Sequence, residues 1–219
     1  MAEAEQFPFP RHNFPRAAIN LNDDFGGGDL IASNLFANAV QESGDHGPIN
    51  SWSRLPYLTP IRNGTLSILP KPRVITGNAI IGTYSSQEGI DNDDGSAWYS
   101  TTGNVLINAQ YGMKSDFGGW QNHHTGNLYP YVCSCYGEGA DDLFMNNTCV
   151  MRKHSGCQYW PSYASDAPTP RGPAAPNFRV GGNTIHSASN ISVGKNSNIS
   201  LEDWVKAGHD SGTRDVDAN

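Results

Sequence analysis

The chain of 219 residues has no run of 18 apolar residues, so no membrane-spanning helix is expected. Basic clusters are missing as well. Only 16% of residues are charged, and 14 Lys+Arg against 21 Asp+Glu leave a formal net charge of −7. A nucleic-acid partner is held largely through its neutralised phosphates, so this balance sets DNA and RNA aside. Low charge together with 37% apolar residues also excludes a disordered tail and a coiled coil. Gly26-Gly27-Gly28 is not followed by Lys-Ser/Thr, and no G-x-S-x-G elbow occurs, which removes the phosphate loop and the simplest serine hydrolase. Met1-Ala2-Glu3-Ala4-Glu5 has neither a basic nor an apolar leader segment, so no export signal is visible.

What is present points to a turn-rich globular fold: 24 Gly, 14 Pro, and a length suited to one domain with an appendage. Cys133, Cys135, Cys149 and Cys157 are an even number within a short stretch, and Asn63, Asn146, Asn190 and Asn198 each begin an N-x-S/T sequon. Both features favour an oxidising, extracellular compartment, which would place Met1 inside a longer precursor. The C-x-C spacing is poor for zinc, and one or two disulfides are expected instead. Cys135 and Cys133 stand 22 and 24 residues before Cys157, so either pair fits adjacent turns of a repeat, and three connectivities remain open.

A repeat is indeed visible. Asn34, Asn78, Asn104, Asn127 and Asn147 each open or precede a short apolar run, at gaps of 44, 26, 23 and 20, which read as two periods and then three single ones. A second series, Asp24-Phe25-Gly26, Asp45-His46-Gly47, Asp93-Asp94-Gly95 and Asp116-Phe117-Gly118, has gaps of 21, 48 and 23. The series are locked together: Asp24, Asp93 and Asp116 precede Asn34, Asn104 and Asn127 by 10, 11 and 11 residues.

Each period holds two or three short strands bounded by Gly and Asn, without sustained helical periodicity. This is the size of one coil of a parallel β-helix, whose stacked coils lie about 4.8 Å apart. Asn residues stacked at a corner can pair amide to carbonyl from coil to coil and tolerate a left-handed backbone. The expected fold is all-β, a right-handed parallel β-helix of about five or six coils over residues 15–160, after a lead-in at 1–14. Residues 52–73, rich in Pro, read as an inserted loop, and 161–178 as a Pro-rich linker or arm. Residues 179–219 should return as strands with a short helix over 201–208, Ser200 as N-cap and Gly208 at its end.

The stretch from Pro15 to Gly28, followed by Glu42 to Arg54, resembles secreted right-handed parallel β-helix repeat proteins. So do Ile90-Asp91-Asn92-Asp93-Asp94-Gly95-Ser96, Gly112-Met113-Lys114-Ser115-Asp116-Phe117-Gly118-Gly119 and the closing Trp204-x-x-x-Gly208-x-Asp210-x-x-Thr213. The resemblance implies a fold shared by polysaccharide lyases, polygalacturonase-like hydrolases, epimerases and adhesins. It also implies coils before Pro15 and a strand after Trp204, so the chain is expected to be a C-terminal portion or a truncated form.

If Asp24, Asp45, Asp93 and Asp116 share one face of successive coils, they form a column of carboxylates spaced roughly 5–10 Å apart. Such a pair suits glycosidic-bond hydrolysis, and several together suit Ca²⁺, which neutralises a uronate in lyase chemistry. The competing explanation is a series of turns in which Asp accepts backbone N–H bonds and Gly takes the special φ. Asp94 adds to the acid at one turn and His46 adjoins Asp45. In register, Asn22, Asp91 and Lys114 would share the position two before the aspartate, making Lys114 a charge partner or a base for a sugar C5 proton.

His123 and His124 are adjacent on a strand and so face opposite sides, which allows only one of them into a given site. Trp52, Trp98 and Trp120 can stack on sugar rings, and Arg54 flanks the insertion with His123 as a further polar contact. Catalytic candidates are therefore Asp24, Asp45, His46, Asp93, Asp94, Lys114 and Asp116. Substrate-binding candidates are Trp52, Arg54, Trp98, Trp120 and His123. The partner expected is an extracellular polysaccharide or glycan, bound by a monomer with no certain cofactor, Ca²⁺ being the one considered. The rival is a non-catalytic module for glycan binding or surface adhesion.

Overall fold

A computed structural model of the chain describes residues 10–22, 27–53, 71–81, 87–115, 121–137, 142–152, 157, 159, 179–187, 193, 200–208 and 210–217. The described strands, numbered in chain order, form three parallel sheets. The first runs β2 (Ile19–Asn22), β5 (Ile49–Trp52), β8 (Glu88–Asp93), β11 (Tyr111–Ser115) and β14 (Ser134–Gly137). The second holds β3 (Leu30–Ala32), β6 (Arg73–Thr76), β9 (Tyr99–Thr102), β12 (His123–Thr125), β15 (Leu143–Met145) and β17 (Arg179–Gly181). The third holds β1 (Pro10–His12), β4 (Leu35–Ala37), β7 (Ala79–Ile81), β10 (Val105–Ile107), β13 (Leu128–Val132), β16 (Thr148–Met151), β18 (Thr184–His186) and β19 (Arg214–Asp215). From β2 to β16 the chain visits the sheets in strict rotation, and each return adds a strand parallel to the last.

Period-2 alternation turns one set of side chains from each sheet inward. Ile49, Ile90 and Met113 are in register on the first sheet. On the second, Ile31, Ile75, Thr101, His124, Phe144 and Val180 make one row. On the third, Phe36, Ile80 and Leu106 are in register, as are Tyr129, Cys149 and Ile185. The apolar members merge into one core, in which Tyr129 and Phe144 stack with ring centroids 5.9 Å apart.

The asparagine rhythm becomes a ladder at the corner between the second and third sheets. Asn34, Asn78, Asn104, Asn127 and Asn147 each donate both backbone N and Nδ2 to Oδ1 of the next, over 2.8–3.3 Å, and Asn183 extends the row. The residue before each rung, Ser33, Gly77, Gly103, Gly126, Asn146 or Gly182, has φ between 56° and 65°, the left-handed bend that turns the chain from one sheet into the next. Because Asn34 bonds Asn78 directly, the 44-residue gap is one circuit carrying the insertion, not two periods.

Other boundaries shift. Pro10–His12, placed in the lead-in, already pairs with β4, and β17, β18 and β19 join the same sheets as the strands before them. Trp52 closes β5 and Arg73 opens β6, so the insertion leaves between them, and its residues 54–70 lie outside the described residues, as does the 161–178 linker. The short helix forms as α1 (Leu201–Lys206), with Ser200 Oγ accepting from Asp203 N at 3.1 Å and Gly208 at φ 92°. Its Leu201, Trp204 and Val205 pack on the core. No helix of the described residues is long and apolar enough to cross a membrane.

Both disulfides form, Cys133–Cys157 with a Cα–Cα separation of 4.4 Å and Cys135–Cys149 with 6.1 Å. The first is one of the two adjacent-turn pairs open in the sequence, and it leaves Cys135 to Cys149.

Candidate functional site

On the first sheet, Asn50, Asp91 and Lys114 stand side by side in register and alternate with the inward Ile49, Ile90 and Met113. They therefore occupy the outer face. All three are buried nonetheless, with exposures of 0%, 0% and 3%. One cover is the turn before β5: a Cβ on Gly47 would stand 3.0 Å from Asp91 N, so the small residue lets this turn sit close on the strand.

Among the described residues, three carboxylates converge on the buried ammonium. Lys114 Nζ lies 3.3 Å from Asp91 Oδ1, 3.3 Å from Asp93 Oδ1 and 3.8 Å from Asp45 Oδ1. They differ in access to solvent, Asp91 having none, Asp93 being 18% exposed and Asp45 74%. Asn50 donates to Asp91 Oδ2 at 2.8 Å with its amide turned toward the carboxylate. Burial pushes the Asp91 carboxyl up to about 7; the Lys114 charge opposes this, and Asp93 and Asp45 add to the rise.

Beside this cluster, Arg16 Nε and Nη2 approach His46 Nε2 at 3.2 and 2.6 Å. A guanidinium only donates, so Nε2 accepts and the ring proton belongs on Nδ1, which faces Gly44 O at 2.6 Å. The Arg16 guanidinium also lies over the Trp52 ring, 5.2 Å from its centroid. Backbone bonds fix this arrangement, Val40 N donating to Arg16 O and Ala18 N to Pro48 O. Trp52 is in register with Asp93 on the neighbouring strand.

Asp45, His46, Asp93, Lys114 and Trp52 thus meet on one face, but not as an evenly spaced column. Asp45 sits four residues before β5, whereas Asp93 ends β8, so the two D-x-G motifs reach Lys114 from opposite ends of their strands. The predicted register holds for Asp91 and Lys114, while Asn20, not Asn22, is their counterpart on β2, because Asn22 pairs with Trp52. Asp93-Asp94-Gly95 is also a turn, with Ser96 N donating to Asp93 O at 3.0 Å and Gly95 at φ 79°.

Trp98, just before β9, and His123, on β12, belong to the second sheet and do not share this face. His123 is exposed and His124 buried, as alternation requires. Asp24, Arg54, Asp116 and Trp120 lie outside the described residues. Arg16 and Asn50 escaped sequence reasoning, since neither carries a motif and both arrive by lateral stacking.

The carboxylates do not fit Ca²⁺, which takes six to eight oxygen ligands, because the ammonium already fills the position on which they converge. Among the described residues no group of three or more His, Cys, Asp or Glu is disposed to hold a metal ion. Compared with protein-family models, curated proteins and solved structures, the chain matches none.

Proposed function

We propose that this chain is a right-handed parallel β-helix, or a portion of one, that acts on extracellular polysaccharide as a glycoside hydrolase or polysaccharide lyase. Each circuit of the three sheets is then one coil, and the hand follows from the general right-handedness of parallel crossovers. The observation that carries the functional reading is the outer face of the first sheet, where the partly exposed Asp45 and Asp93 share one ammonium beside the Arg16–Trp52 pair. Carboxylates on one ammonium stand within the roughly 10 Å over which such pairs cleave glycosidic bonds. Asp93 and Asp45 are the acid and base, Lys114 is their counter-charge, and His46 and Asp94 support them. Trp52 offers an apolar ring face to a sugar. Two disulfides are compatible with secretion.

One observation favours a second reading, that of a non-catalytic glycan-binding module: Lys114 is buried against three carboxylates and is not free to serve as a base. Incubation with uronate and neutral polysaccharides separates the two readings, with reducing ends reporting hydrolysis and absorbance of unsaturated products reporting elimination. Asp45→Asn and Asp93→Asn should each abolish cleavage. Cleavage that survives both substitutions together overturns the assignment, and retention on a glycan column without cleavage supports the module.

A further inference from the structure

Among the described carboxylates of the cluster, Asp91 is the one that solvent cannot reach. It is bonded to Asn50, covered by Gly47 and set 3.3 Å from the ammonium it shares with Asp93. We propose that Asp91 is a positioning residue that acts through Lys114, setting how the ammonium's charge is divided between the sheet and the two accessible carboxylates, Asp93 and Asp45. In catalysis this inference rests on the acid–base reading of the face; the division of charge itself does not.

The physical basis is competition for one cation. While Asp91 is ionised, Lys114 balances a buried charge that has no water to screen it, and attraction at that depth is far stronger than at the surface. When Asp91 takes up a proton, the buried negative charge disappears and the ammonium is released toward Asp93 and Asp45. One proton on a group remote from substrate therefore changes the field at the groups that touch it. Among the described residues, the other charged groups around the cluster are Asp45 on the covering turn, Asp93 on β8 and Lys114 on β11, with His46 and Arg16 paired to each other beside them. Asn50, from β5, is neutral.

The test is the ¹⁵Nζ resonance of Lys114 in the full chain, followed from pH 4.5 to 9, alongside the pH profile of any cleavage found. The wild type should show a step near pH 7, where Asp91 titrates. His46→Gln should leave that step in place, and Asp91→Asn should abolish it and displace the acid limb of the activity profile. Should Asp91→Asn fail to fold, Asn50→Ala answers instead: loss of a donor to the carboxylate moves the step to higher pH. A Lys114 resonance that is flat through neutrality, or a step that persists in Asp91→Asn or stays fixed in Asn50→Ala, overturns the proposal. If no polysaccharide is cleaved, the functional reading falls while the resonance still decides the role of Asp91.

Discussion

Asn104 binds Asn127 twice, its backbone N–H and its Nδ2 both donating to Asn127 Oδ1 at 3.0 Å. Asn127 in turn donates Nδ2 to Thr101 O and to Asn147 Oδ1. Replacing Asn127 by Ala strands the Asn104 N–H donor and the Thr101 O acceptor in the interior, each costing about 1–3 kcal/mol. Asn127→Ala should lower stability by roughly 3 kcal/mol or more in urea titration, with Asn127→Asp losing less because it keeps the acceptor. A loss below about 1 kcal/mol would show the ladder to be incidental.

Asp91 and His124 pull stability in opposite directions with pH. Folding raises Asp91 from 3.8 to about 7, chiefly by burial, so the folded chain keeps a proton that the unfolded chain releases. That contribution is complete below about pH 4 and is lost as pH rises toward 7. Folding lowers His124 from 6.5 to about 3, again chiefly by burial, and its contribution is complete above about pH 6.5 and lost as pH falls toward 3. The slopes oppose each other between about pH 4 and 6.5. Asp91→Asn removes one of them, so its stability relative to wild type should fall on acidification across this window, by on the order of a few kcal/mol. Urea midpoints at pH 4.5 and 6.5 check this, and parallel trends in the two proteins would refute it.

Gly47→Ala should unseat the turn that carries Asp45. The added Cβ would lie 3.0 Å from both Asp91 N and Ile49 O, and both neighbours are backbone. The expected cost is about 1–3 kcal/mol, read as a lower denaturation midpoint together with faster amide exchange in residues 43–48. An unchanged midpoint would mean that the turn does not pack on β8.

The disulfides can be removed separately. Cys133 and Cys157 enclose a 24-residue separation, for which chain entropy suggests about 3 kcal/mol of stabilisation. The Cys133→Ser/Cys157→Ser variant should lose about that much in oxidising buffer and fall further when the buried Cys135–Cys149 bond is reduced. Peptide mapping that finds Cys135 joined to Cys157 would overturn the connectivity.

The ladder was the most legible feature of the sequence, because a buried amide column tolerates almost nothing but Asn at its corner. The aspartate rhythm misled for the opposite reason. D-x-G satisfies several kinds of turn, so its recurrence does not fix a place on the circuit of the sheets, and Asp45 and Asp93 fall at opposite ends of their strands. An insertion adds residues without adding a layer, which is why the step from Asn34 to Asn78 counted as two. Lys114 could be matched to Asp91 by counting from the aspartates, but Arg16 reaches His46 across 30 residues through backbone pairing that no local pattern announces.

In the ladder every rung donates toward the C-terminal side, and each from Asn78 onward accepts from the rung before it. Asn183 passes its backbone N–H to Thr213 Oγ1 at 2.9 Å, and Thr213 hands its own hydrogen to Asp210. The amide dipoles consequently add head to tail, and the column has a polarity like that of a helix axis, with donors gathered at one end and an acidic side chain closing it. Its two ends are not equivalent: at Asn34 the row opens with two donors directed into the column, whereas at the other end it passes through Thr213 to a carboxylate.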